Sequence, residues 1–138
     1  VDADAVVEKI LRSYDTITVV GASNVPEKAA HYVPVHMREH GWQIVPVNPR
    51  GGTILDVPAY KTLADAPKPG LVNVFRPSAQ TPDIARQAVA AGATALWLQL
   101  HISSEEARRI AEEAGLLYVE DRCLIIEQRR LGLDAPKL

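Results

Sequence analysis

Ile17-Thr18-Val19-Val20-Gly21-Ala22-Ser23 is the stretch on which the fold turns. Four β-branched residues in a row, with little polar alternation, read as a strand covered on both faces, and Gly21 ends it in a tight turn. Similar apolar runs recur at Ile44–Val47, Leu71–Phe75, Ala95–Leu98 and Leu116–Val119. Between them lie segments with helical spacing. In one, Thr81 is the expected cap, Pro82 takes the first helical position, Ile84, Ala85, Ala88 and Val89 share a face, and Gly92 stops the helix. In the next, Ser103 and Glu106 have capping-box spacing, Ala107, Ile110, Ala111 and Ala114 form the stripe, and Gly115 ends it. A helix also precedes the first strand, with Asp2 or Asp4 as cap and Val6, Val7, Ile10 and Leu11 buried. A further helix lies within Ala29–His40 and stops at Gly41; Pro34 either falls in its first turn, with the helix starting near Val33, or kinks it. The Pro- and Gly-bearing stretch from Pro46 to Gly70 reads as a long connection with one short helix around Tyr60–Ala64. Strands alternating with helices imply right-handed crossovers. The expected architecture is α/β: a Rossmann-like, doubly wound, five-stranded, mainly parallel sheet with helices on both faces.

The 138 residues are one domain's worth, expected to span 1–138, with residues 1–15 as an N-terminal helix and 132–138 as a tail. Apolar residues make up 47% and charged residues 23%, the balance of a globular chain. A formal net charge of −2 argues against attachment to nucleic acid or membrane by bulk charge. No apolar run approaches the ~18 residues of a membrane span, and no basic-then-apolar signal opens the chain. The single cysteine excludes an internal disulfide and fits a reducing, cytoplasmic setting.

In open α/β sheets ligands bind beyond the carboxyl ends of the strands, where strand order reverses. The residues to read are therefore Gly21-Ala22-Ser23-Asn24, Asn48-Pro49-Arg50-Gly51-Gly52, Arg76-Pro77-Ser78, Gln99-Leu100-His101 and Asp121-Arg122-Cys123. Gly21 permits close backbone approach, and Ser23 offers a hydroxyl beside free amides, which suits a phosphate. The three glycines of a dinucleotide fingerprint are absent: Ser23 and Pro26 stand where the second and third belong. No acid follows the second strand to hold a ribose 2′-hydroxyl. Arg50 stands there instead, and its guanidinium suits an additional phosphate on a ribose. NAD is disfavoured; NADP or coenzyme A is favoured. A phosphoacceptor receiver would need acids after the first and third strands, and neither a Walker loop nor a G-x-S-x-G elbow is present.

Gly21-Ala22-Ser23, Val47-Asn48-Pro49, Val74-Phe75-Arg76, Trp97-Leu98-Gln99 and Asp121-Arg122-Cys123 occur in the order seen in small stand-alone coenzyme A-binding proteins. The chain resembles that family, and with it the N-terminal domain of the succinyl-CoA synthetase α subunit, from about Ile17 to Leu131. The resemblance implies coenzyme A lying across the strand ends: pyrophosphate near Gly21, Ala22 and Ser23, the 3′-phosphate near Arg50 or Lys28, and adenine and pantetheine past Asn48, Pro49, Phe75, Arg76 and Gln99. Two positions depart from the family pattern. Lys28-Ala29-Ala30 replaces an Arg-Pro-Ser or Arg-Pro-Ala run, and His101 stands where glycine is usual and adds bulk beside the ligand path.

Other residues have plainer readings. His31, His36 and His40 lack a converging third ligand and read as helix-surface or capping side chains, so no metal is expected. Cys123 reads as a small buried, structural residue with no identifiable His or Asn partner, the alternative being redox or thiol chemistry with the coenzyme A sulfur, and Arg122 as scaffold paired with Asp121 or Glu127. Trp97 belongs to a buried strand, and Trp42 shields the start of the second. The expected function is binding of coenzyme A or an acyl-CoA by a non-catalytic binding, sensing or carrier module, as monomer or homodimer. The alternatives are an NADP-dependent oxidoreductase or fragment, for which no hydride-transfer site is visible, and a regulatory protein with a decayed pocket.

Overall fold

A computed structural model describes residues 2–138. In chain order the elements are α1 (Ala3–Ser13), β1 (Thr16–Val20), α2 (Ala29–Glu39), β2 (Gln43–Val47), β3 (Thr53–Ile54), β4 (Val57–Pro58), β5 (Leu71–Val74), α3 (Thr81–Ala91), β6 (Ala95–Leu98), α4 (Glu105–Glu113), β7 (Leu117–Val119) and α5 (Leu124–Leu131). The main sheet has five parallel strands in the order β2-β1-β5-β6-β7, the doubly wound arrangement that the apolar runs predict. Chain order reverses between β1 and β5, which is the switch point where ligands settle.

Both faces are covered. α1, α2 and α5 pack on one through Val7, Leu11, Val33, Met37 and Leu124, against Ile17, Leu71 and Trp97. α3 and α4 cover the other through Ile84, Ala88, Ala107 and Ala111, against Val72, Val74, Leu96 and Leu98. Burying Val7, Ile10 and Leu11 is worth roughly 1.5–3 kcal/mol each. The Asp2 cap, which accepts from the Asp4 amide at 3.0 Å, adds about 1 kcal/mol, so packing and not capping holds α1 in place. Trp42 and Trp97 are buried, each satisfying its indole N–H on a backbone carbonyl, Tyr14 O at 2.7 Å and Arg122 O at 2.8 Å.

Register fixes the site. Val20 lies opposite both Val47 and Val74, and Val74 lies opposite Leu98. Four strands thus end level, and the residues that follow them, Gly21, Asn48, Phe75 and Gln99, stand in a row along the carboxyl edge.

Several expectations need correction. α2 starts at Ala29, so Pro34 is inside the helix and not in its first turn. A proline there removes the amide that would bond the carbonyl of Ala30. That carbonyl instead accepts the Ser23 amide at 3.2 Å, which is why the helix tolerates the proline. The cap of α4 is Ser104, whose hydroxyl accepts from the Ala107 amide at 3.1 Å; Ser103 lies one residue outside. Thr81 is the first residue of α3, because a 3-10 turn, Ser78–Gln80, runs straight into it; its hydroxyl bonds back to Ser78 O at 2.7 Å. No helix forms around Tyr60–Ala64. Tyr60 bridges to Val47 on the edge of β2, and Thr62 and Asp65 close a turn behind it. The same connection carries the antiparallel β3–β4 hairpin.

Candidate functional site

Gly21 turns the chain at φ +89°, and a Cβ there would stand 2.7 Å from Phe75 O, so only glycine fits. The turn leads into a loop tied down on every side. Ser23 N bonds Ala30 O at 3.2 Å, the Val25 amide bonds Ser23 Oγ at 3.0 Å, and the His31 ring meets Ser23 O at 2.8 Å. Asn48 clamps this loop to the next one. Its Nδ2 donates to Ala22 O at 3.0 Å and its Oδ1 accepts from the Arg50 amide at 2.9 Å. Asn24 does the same for the hairpin, donating to Thr53 O at 2.7 Å and accepting from Leu55 N at 3.1 Å. Ser23's own amide is taken up, while the amides of Ala22 and Asn24 on either side of it have no partner among the described residues. Further unpaired donors lie at the start of α2, where the amides of Ala29 and Ala30 also have no partner among the described residues and no side chain caps the helix. Uncapped amides at a helix start attract an anion.

These loops form an open cavity of about 540 Å³ at the switch point, lined by Gly21, Ala22, Ser23, Lys28, Asn48, Pro49, Arg50, Phe75 and Arg76. Asn24, Val25, Ala30, Gly51 and the hairpin residues Thr53 and Ile54 complete the wall. Lys28, Arg50 and Arg76 bring three cations to it, and among the described residues no carboxylate lines it, in a chain whose net charge is −2. Arg76 is steadied by Nε donating to Gln80 Oε1 at 3.0 Å.

Ala30, Phe75 and Arg76 also line a second cavity, of about 590 Å³, so the two adjoin. Gln99 and His101 belong to this second space, with Tyr32, Leu100 and Cys123. The eleven residues singled out from the sequence thus fall on one continuous surface but not in one pocket. Cys123 is half-buried and lines this second cavity, so it is not the buried residue that the sequence suggests. His101 has φ +69°, the left-handed region that glycine adopts without strain. Asp121 Oδ1 holds this turn by accepting the His101 amide at 2.7 Å.

Away from the cavities, His36 bonds Gln128 Oε1 at 2.7 Å and His40 meets Asp134 at 3.1 Å, structural contacts in keeping with the plain reading. Arg122 pairs with Asp4 at 2.7 Å and Glu127 at 3.0 Å; Asp121 is not its partner. The Arg122 hydrogen bond and charge hold the Asp4 carboxyl below the usual carboxylate range. Burial and a hydrogen bond to Glu120 push the Tyr118 phenol far up, so it stays neutral.

The sequence profile of the CoA binding domain family matches residues 15–129. The YneT protein of Bacillus subtilis is 35% identical over 121 residues, covering 87% of this chain and 90% of that protein. A protein of Thermus thermophilus has a solved structure with a TM-score of 0.86 and 37% identity, covering 93% of this chain and 98% of the other. One from Pyrococcus horikoshii gives a TM-score of 0.88 and 36% identity, covering 93% and 91%. With the profile spanning both cavities' strand ends, the chain belongs to the CoA binding domain family.

Proposed function

We propose that this protein binds coenzyme A or an acyl-CoA across the carboxyl edge of its sheet, as a non-catalytic binding, sensing or carrier module. The observation that carries the reading is the three-cation, carboxylate-free cavity at the switch point. Coenzyme A has a pyrophosphate and a ribose 3′-phosphate, and the cavity offers a cationic side chain for each. In this reading the pyrophosphate sits against Gly21-Ala22-Ser23, the start of α2 and Arg76. Arg50, beside the Gly51-Gly52 pair, takes the 3′-phosphate, with Lys28 as the second cation. The pantetheine arm leaves past Phe75 and Arg76 toward Gln99 and His101. Membership of the family supports coenzyme A over NADP.

The test is calorimetric titration of nucleotide-stripped protein with coenzyme A, NADP and NAD. The expected result is saturable one-to-one binding of coenzyme A, with NADP and NAD weak. Preference for NADP would overturn the reading. Arg50→Ala should weaken coenzyme A more than dephospho-coenzyme A, by roughly 1.5–3 kcal/mol for one charge-assisted contact. Equal loss for both ligands would remove Arg50 from the 3′-phosphate.

A further inference from the structure

The second cavity differs in kind from the first. The first is walled by loop residues and three cations; the second, of about 590 Å³, is walled mainly by carbon. Tyr32 and Val33 come to it from α2, Phe75 and Pro77 follow β5, and Leu100 and Ile102 follow β6. Among the described residues no carboxylate lines it, and its one guanidinium, Arg76, is shared with the first cavity. In the proposed coenzyme A site the pantetheine arm runs toward Gln99 and His101 here, and the carbon surface around them is left over.

Tyr32 and Leu100 are 48% and 40% exposed, two of the five large apolar side chains that the described residues leave in water, and both stand on this one cavity. Single exposed apolar residues are ordinary; two on the wall of one apolar hollow mark a surface that a ligand covers. Leu100 is also presented by a turn that costs free energy, since His101 beside it has φ +69°. That turn is pinned on both sides. Asp121 Oδ1 accepts the His101 amide at 2.7 Å, the Ile102 amide donates to Gln99 O at 2.9 Å, and the Asp121 amide donates to Ile102 O at 3.0 Å. Strain held in place by its surroundings is characteristic of ligand clamps.

We infer that the second cavity takes the acyl chain of a bound acyl-CoA, and that the chain it favours is uncharged, apolar and longer than acetyl. The inference rests on the proposed coenzyme A site. Ala30, Phe75 and Arg76 line both cavities, so the apolar wall continues from the place where the phosphates are held. A hydrocarbon chain lying there displaces water from Tyr32 and Leu100, and each methylene it buries adds to affinity. A chain ending in a carboxylate would instead bring a charge to a wall whose one guanidinium the pyrophosphate already engages. The ligand class is therefore a fatty acyl-CoA, in preference to free coenzyme A or a dicarboxylic acyl-CoA.

The experiment titrates the full chain, stripped of nucleotide, with coenzyme A and with acetyl-, butanoyl-, hexanoyl- and succinyl-CoA in a calorimeter. Affinity should rise from acetyl to hexanoyl by about two- to fourfold per added methylene, with an increasingly negative heat-capacity change. Succinyl-CoA, which matches butanoyl-CoA in chain length but carries a carboxylate, should bind about tenfold more weakly than butanoyl-CoA. Leu100→Ser and Tyr32→Ser, both at exposed positions and so expected to keep a cooperative thermal transition, should each cut the acetyl-to-hexanoyl gain several-fold. Saturable binding of coenzyme A with no dependence on chain length overturns the acyl site and leaves the coenzyme A site standing. Succinyl-CoA binding as tightly as butanoyl-CoA does the same, as does a chain-length gain that neither substitution reduces. If no ligand binds, the two readings fall together.

Discussion

His101 shows how a single residue can carry both strain and position. A non-glycine residue in the left-handed region costs roughly 1–2 kcal/mol, part of which glycine returns through its looser unfolded chain. His101→Gly is therefore expected to raise stability by roughly 0.5–1 kcal/mol, seen as a Tm increase of a few degrees. The Asp121 contact to the backbone amide survives the change. A lower Tm would mean that the imidazole itself holds the loop. At this scale the sequence was readable where one physical requirement has one solution. Gly21 is such a position, since its φ and its approach to Phe75 admit no side chain. The placement of Arg50 is another, since a residue directly after a strand at the switch point has to reach the cavity there. Asn48 and Asn24 were harder, since an asparagine after a strand looks the same whether it touches a ligand or ties two loops. Here all the contacts of both side chains within the protein are to backbone.

Among the elements, α2 is the one whose irregularity reaches the site. Pro34 silences one amide, and Ala30 O is thereby available to the Ser23 amide of the neighbouring loop. Pro34→Ala restores a competing donor. The Ser23 amide should then exchange with solvent faster, and coenzyme A affinity should fall a few-fold. Unchanged exchange at Ser23 together with unchanged affinity would confine Pro34 to a packing role. The strands and most of the helices were legible because apolar period and punctuation agree in them. Two elements were not. The β3–β4 hairpin turns on Leu55 and Asp56 at φ +55° and +66°, a turn usually signalled by Asn-Gly; here Asn24 and Arg38 hold Leu55 by bonds to its N–H and its carbonyl oxygen. α5 buries Glu127 and Gln128 along with Leu124. Its inner face is half polar, so no apolar stripe marks it.

Across the whole molecule, the Asp4–Arg122–Glu127–Arg130 cluster joins the first helix to the last. Asp4 has a folded pKa below its unfolded value of about 3.9, so its contribution is present above that pH and is lost as pH falls through the folded value. Asp4→Asn should lower Tm at pH 7, and the difference from the parent should shrink below about pH 4. A gap that persists at low pH would assign the loss to something other than the carboxylate charge. The carboxyl is exposed, so the effect at pH 7 is small and should diminish with salt.

Strand order also has a consequence for how the chain is made. β1 pairs only with β2 and β5, so every strand end around the first cavity is complete once residue 76 has emerged from the ribosome. α1 packs on β7 and α5, which are made well after it. Its apolar face, Val7, Ile10 and Leu11, has no finished seat until those two elements have emerged. The first cavity's strand ends can thus close while α1 still waits, undocked, for its partners.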